Sequence, residues 1–569
     1  MTTDARGSAP LPAGASLHDF EPLLPAERLV LRAAAASEIA KIGYRRPRAP
    51  APDQTVRAEL LAYLARGGGP GAPVAARQLQ IMGAWVSGRL DLAGTSVPLS
   101  LWLYRCGFAL APLFDGAHVL GSLSFADCTL PGLRAEGCRI DGDLALSAGS
   151  DVEGEVRLTR TSVGRELNCE RLGLRGSRSL FVADGMRIGG DVNLCGGVEA
   201  VGELRFIGAR IGGDLRASAA RLTADIDPAG ARGVALNLDR ACIAGSVALD
   251  AGFSAGGAVR LQQVEIQGDL DCSGADFDAV GDASWGAGGA GLVLTRAQVG
   301  GSLSLQRLAT PLQGASLIDA QVGSLIDDAS TWGLHLELDG FRYTRFGRGA
   351  PTDAPMRLDW LLRQRADHLA SDFRPEPWRR VIGVLRHMGH DASARAVALG
   401  HERQLRKIGA IGRGAPRGLR WLVRLGHGAF GLVAGHGQRP LRLLTSALAV
   451  WLLCGAVYWA AAEGFAPSAA LLVAAPRLAA CRPDCPGLPA TLPAFQPLVY
   501  SLDLLLPLVD LQQQRHWAPA RGALAPAVEA SLGTPLLRLL GWAEAACGGV
   551  LALAALACLA RWAARDRRG

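Results

Sequence analysis

Four aspartates, Asp143, Asp191, Asp214 and Asp269, follow a glycine in a recurring Gly-Asp-apolar phrase. Stacked on successive turns of a repeat they would form a ladder of carboxylates, the arrangement that paired-carboxylate chemistry on polysaccharides uses. As isolated turn residues they would only face solvent. Asp503 and Asp510 lie in an apolar, Pro-interrupted stretch, Phe495-Gln-Pro-Leu-Val-Tyr-Ser-Leu-Asp-Leu-Leu-Leu-Pro-Leu-Val-Asp510. Carboxylates at membrane depth are costly and usually functional, so these two are the candidate intramembrane acids. Cys481-Arg-Pro-Asp-Cys485 sets two thiols four residues apart, a candidate disulfide on the oxidising side of a membrane. His387, His390, His401 and Asp391 are close in sequence, but no Cys or acid set at helical spacing completes a metal site. No Ser-His-Asp set, phosphate loop, Cys-x-x-Cys pair or haem-attachment motif stands out, and the glycines follow no strand-to-helix nucleotide fingerprint. No catalytic, cofactor-binding or metal-binding residue is therefore assigned, no cofactor is called for, and an enzyme is the least expected reading.

The elements that must position these residues begin with a repeat. Val86-Ser-Gly88-Arg-Leu90-Asp-Leu92, Ile140-Asp-Gly142-Asp-Leu144-Ala-Leu146, Ile188-Gly-Gly190-Asp-Val192 and Ile211-Gly-Gly213-Asp-Leu215 share one phrase. It returns from Ile243, Ile266 and Val299, with half-phrases Gly154 to Leu158, Gly202 to Phe206 and Gly257 to Leu261 between copies. The arginines Arg157, Arg205 and Arg260 of those half-phrases would offset the acids. Apolar-polar-apolar alternation behind a glycine is strand periodicity after a turn. Copies 11 or 12 residues apart leave no room for a helix, and gaps of 33 before Gly121 and Gly301 equal three half-periods. The spacing predicts a mainly β chain with α elements, a right-handed parallel β-helix of roughly twelve coils over 81–347, and a rod about 55 Å long at about 4.8 Å per coil. Leu17 to Lys41 and Val56 to Arg66 read as helices of an N-terminal cap, 1–80. Such rods need their ends covered.

From 355 to 436 the period becomes helical: Met356 to Leu369, Pro377 to Met388 and Asp391 to Leu405 form a neck, and Trp421 to Ala434 is amphipathic. Two stretches, 441–463 and 536–562, are long and apolar enough to span a bilayer. Between them, 464–535 is an extracytoplasmic loop with a re-entrant or interfacial segment at 494–519, and 563–569 is a basic tail. Nine basic residues and no acid lie between Arg403 and Arg442, whereas the loop balances four arginines with four acids. The positive-inside rule then puts both termini in the cytoplasm. The net charge of +7 is almost all arginine, gathered beside the first span, which points to an anionic membrane surface and away from nucleic acid. Mean hydropathy is +0.19. Residues 1–17 show no secretory signal. Seven of the 12 cysteines sit at apolar repeat positions and read as reduced core residues.

Val56-Arg-Ala-Glu-Leu-Leu-Ala-Tyr-Leu64, Gly83 to Leu92, Trp360-Leu-Leu-Arg-Gln364, Phe373-Arg-Pro-Glu-Pro377, Val384 to His390 and Pro497 to Pro507 together resemble a bacterial family of β-helical membrane proteins. That family is loosely related to pentapeptide-repeat proteins and sometimes labelled membrane-associated oxidoreductases. The resemblance covers most of the chain from about residue 56 and implies architecture and a bacterial inner membrane, multi-pass location. The expected partners are the lipid bilayer and an unidentified protein or a second copy, in a scaffold or interaction role. The alternative is a channel- or transport-like unit, in which Tyr500 to Asp510 stands where Thr-Val-Gly-Tyr-Gly is absent.

Overall fold

One coil shows why this sequence folds as it does. Arg139–Ile140, Leu144–Ser147, Asp151–Val152 and Val156–Arg157 are four short strands separated by corners. The repeated phrase therefore turns a corner at its glycine, with Ile140 on a first face and Leu144 on a second, where the spacing predicts one strand per half-coil. Each strand pairs in parallel with its counterpart a coil away: Ile140 with Val163, Leu144 with Leu167, Leu130 with Val152, Leu133 with Val156. Leu144, Val192, Leu215 and Leu270 all belong to the second-face column and are wholly buried. Leu90 is equally buried, on the fourth face. A fully buried leucine contributes about 1.5–3 kcal/mol, and stacking like on like lets every coil bury its share without a shape mismatch. The computed structural model describes residues 16–225, 233–278, 290–411, 416, 418–435, 440–468, 493–519 and 534–566. They form two units, Met1–Val397 and Ala398–Gly569, the first a parallel β-solenoid of about 11 turns.

The chain leaves the fourth face through a left-handed residue: Arg160, Gly185, Gly208 and Arg240 have φ of 57°, 65°, 65° and 59° in successive coils. That conformation costs a non-glycine residue about 1–2 kcal/mol. It is offset by a bond to the next coil, as from Arg160 N to Asp184 O at 2.8 Å. The repeat spacing needs one correction. Gly268 and Gly301 are a single coil apart, since Leu270 pairs with Leu303, and Gly213 and Gly245 are likewise one coil apart, since Leu215 pairs with Val247. The surplus residues, 226–232 and 279–289, fall between the third and fourth faces and outside the described residues. Only the 33-residue step from Gly88 to Gly121 is a true one and a half coils, because Val86 lies on the third face with Phe108.

At the N-terminal end the expected helix over Leu17 to Lys41 is broken up. Leu17–Phe20 is a single 3-10 turn, α1 is Pro25–Ala36 with proline at its start, and Ser37 ends it at φ 58°. Ile39–Lys41 is then a strand on Gln80–Met82, and Thr55–Arg57 a strand on Trp85–Ser87. Strand pairing thus starts well before residue 81. Helix α2, Ala58–Ala65, is buried at every residue but Glu59.

The other end closes on α3, Ala354–Leu362, capped by Asp353 accepting from Met356 N at 3.1 Å. This helix stops short of the expected Leu369 because the chain returns to the sheet: Gln364 bridges to Leu336, and Arg365 N donates to Leu336 O at 3.2 Å. Helix α4, Glu376–His387, and α5, Asp391–Lys407, follow, the unit boundary falling inside α5.

In the second unit, α6 is Arg420–Ala434, α7 is Pro440–Ala460, α8 is Pro497–Leu505 and α9 is Thr534–Asp566. Within α7 and α9, Leu441–Ala460 and Pro535–Ala560 are 20 and 26 residues long and apolar enough to cross a membrane. Their surfaces are apolar and open: Leu441, Leu453, Trp459 and Trp542 are all at least 70% exposed. Helix α8 packs on both.

Candidate functional site

The structure uses the Gly-Asp phrase to join coils. Asp191 Oδ1 accepts from Asp214 N at 2.9 Å, Asp214 Oδ1 from Ser246 N at 2.9 Å, and Asp269 Oδ1 from Ser302 N at 2.6 Å. Serines do the same work where the acid is missing: Ser246 Oγ accepts from Asp269 N at 3.1 Å. The preceding glycine follows from this, because a β-carbon on Gly213 would sit 2.0 Å from Asp191 Oδ1. The Ser246 N–H, and after it Arg216, hold the Asp214 carboxyl below the usual carboxylate range. Acid–base catalysis by paired carboxylates needs one of them kept protonated, which is the opposite of what Asp214 shows. The half-phrase arginines answer a second set of acids: Arg205 pairs with Asp184 at 2.6 Å and Arg260 with Asp239 at 2.7 Å, one coil back, while Arg157 meets Glu155 at 2.7 Å within its own coil.

Glu166 is a further ladder position that the Gly-Asp phrase does not mark, because its copy reads Val163-Gly-Arg-Glu-Leu167. Partial burial, then Asp143 and Asp191, raise its carboxyl above the ordinary value. Its own N–H donates to Asp143 Oδ1 at 3.2 Å, so it belongs to the same coil-joining ladder. Asp214→Ala is expected to cost the protein about 1 kcal/mol, the worth of one bond to a backbone donor, and Asp214→Asn, which keeps the acceptor, to recover most of it. Thermal unfolding of the full chain in detergent distinguishes the two.

The histidines do not converge: no group of three or more His, Cys, Asp or Glu able to hold a metal exists among the described residues. Cys481 and Cys485 lie outside the described residues. Cys106, Cys128, Cys138, Cys169 and Cys272 are free and buried in the rod. Burial alone pushes the Cys169 thiol up to about 12, which leaves it without reactive thiolate.

In the second unit, the two candidate acids part company. Asp503 is buried, its carboxylate accepting from Leu511 N at 2.6 Å and Gln514 N at 2.9 Å, so it pins the chain that returns from α8. Asp510 is half exposed and meets Arg515 at 2.8 Å. A third acid, Glu544 of α9, is more central: Tyr458 OH of α7 donates to its Oε2 at 2.8 Å, and Ser501 Oγ of α8 contacts its Oε1. The signal for it was present in the sequence as the one charge within an apolar span. Trp451 Nε1 of α7 also donates to Leu498 O of α8 at 2.9 Å. An aromatic cluster covers one end of this trio, with Phe465 stacked on Phe495 at 4.4 Å and edge-on to Tyr500 at 5.1 Å. Glycines admit α8 on both sides: a β-carbon on Gly455 would lie 2.6 Å from Leu498 Cδ2, and one on Gly548 2.2 Å from Leu505 O. A buried carboxyl among hydroxyls can bind and release a proton or order a helix. Comparison with known protein families, curated proteins and solved structures finds no match for this chain.

Proposed function

We propose that this protein is a membrane-anchored scaffold, a right-handed β-solenoid held on the cytoplasmic side of a bacterial inner membrane by two spanning helices. The observation that carries the reading is how the rod spends its polar groups. Its regularly spaced acids, serines and arginines bond to the neighbouring coil or to each other, so what it offers a partner is an extended repetitive surface instead of a reactive pocket. A shallow groove along the first face, lined by Gly164, Gly189 and Gly212 beside Arg187 and Arg210, suits an elongated partner carrying acids, from another protein or a second copy. The right-handed winding accords with the general handedness of crossovers between parallel strands. Spanning by α7 and α9 is supported by their open apolar surfaces, which water would disfavour, and the cytoplasmic placement of both termini by the arginines around the first span.

A second reading, a channel- or transport-like unit, draws on α8. A short helix wedged between two apolar helices, its far end beside Gly548 in the middle of α9, has the form of a re-entrant segment, since irregular backbone at depth has to be covered by protein.

Ion flux from liposomes separates the two. The scaffold predicts flux equal to empty vesicles for the wild type. Flux above that level, abolished by Glu544→Gln and Asp503→Asn, would overturn it for the channel. Arg187→Glu with Arg210→Glu is expected to weaken in-cell cross-links made from the first face and to leave membrane location unchanged.

A further inference from the structure

Glu544, wholly enclosed by α7, α8 and α9, meets a chain of oxygens whose protons can be counted. Ser501 Oγ touches Glu544 Oε1 and also lies 3.1 Å from Trp451 O. A serine hydroxyl owns one proton and can accept others, while a backbone carbonyl only accepts. Two hydrogen bonds in the row Trp451 O, Ser501 Oγ, Glu544 Oε1 therefore need two protons, and serine supplies one. The second has to come from the carboxyl group. With Glu544 ionised, one of the two contacts would set lone pairs against lone pairs in a site that water does not reach.

The surroundings agree. Cys454 and Tyr458 face Glu544 from α7, and Tyr500 and Ser501 from α8, with Asp503 two residues along α8 and Cys547 one turn along α9. No arginine, lysine or histidine pairs with it among the described residues.

We propose that Glu544 is a proton-binding site, and that its carboxylic acid O–H, donated to Ser501 Oγ, locks α8 between α7 and α9. Release of the proton removes one of the bonds that hold α8, which makes the helix responsive to protons delivered to the interior of the membrane unit. The proposal rests on α7 and α9 being spans.

Infrared spectra of the full chain in lipid membranes at neutral pH test it. The wild type is expected to show a carboxylic-acid C=O band that shifts in D2O, missing from Glu544→Gln and retained in Asp510→Asn. Identical bands in wild type and Glu544→Gln would overturn the proposal. Should Glu544→Gln fail to fold, Ser501→Ala takes its place: the acid keeps its proton but loses its acceptor, and the band must move to higher frequency. A band that stays put overturns the proposal as well. Retention of the chain by the same membranes after an alkaline wash reports on the spans separately. A released chain sinks the spanning reading, whereas a retained chain without the band sinks only the proton site.

Discussion

Arg357→Ala is expected to destabilise the protein by about 3–5 kcal/mol and to fray the last coils of the rod. Arg357 and Asp327 are both at 0% exposure, joined by two parallel bonds of 2.7 and 2.8 Å. The guanidinium also donates through Nε to Pro351 O at 2.8 Å and lies 3.7 Å over the Phe346 ring. Trp332 Nε1 gives Asp327 a third bond at 2.8 Å. Truncating the arginine leaves a dry carboxylate with one neutral donor, and that orphaned charge is the main cost. Asp327→Leu with Arg357→Leu should lose less than Arg357→Ala alone, because an apolar pair of similar volume removes both charges together; the residual loss is the stranded Trp332 N–H. Chemical unfolding in detergent and hydrogen exchange over 315–346 check both. A loss under about 1 kcal/mol for Arg357→Ala would mean that the aromatic packing of Trp332, Tyr343 and Trp360, and not the ion pair, closes the rod.

The same pair shows where reading a sequence runs out. The solenoid was legible because its signal is local: an apolar residue, a glycine and a polar residue recur at fixed spacing, and the pairing of Leu144 with Leu167 only extends that spacing into space. The four-sided coil was hidden because strands of two residues are too short to show a period of their own. Residues 226–232 and 279–289 lengthen the step between phrases, so spacing alone could not tell one coil from one and a half. Arg357 and Asp327 are 30 residues apart and carry no motif, and only closure of the rod's end brings them together. In the second unit Asp503 and Asp510 stand out by their apolar neighbours, yet Glu544 has the stronger physical claim. Its partners, Tyr458 and Ser501, come from two other helices, 86 and 43 residues away. Composition marks a costly residue, but its role depends on which groups arrive to bond it.

Gly548→Ala and Gly549→Ala are expected to diverge sharply, although they are neighbours on α9. A β-carbon at Gly548 would stand 2.2 Å from Leu505 O and 2.8 Å from Leu505 C, against backbone that no side-chain rotation can clear. At Gly549 nothing lies within 4 Å. Alanine at 548 must therefore push α8 away from α9, an overpacking that costs about 1–3 kcal/mol, and the shift carries Ser501 off Glu544. Alanine at 549 meets no obstacle and gains up to about 1 kcal/mol of helix propensity. Hydrogen exchange over Pro497–Leu505 should accelerate in the first variant alone, and the thermal midpoint in detergent should fall for Gly548→Ala and hold or rise for Gly549→Ala. Equal behaviour would place α8 somewhere other than against α9, and the proton site with it. Both outcomes are read within the second unit, where Gly548, its contacts and Gly549 all lie.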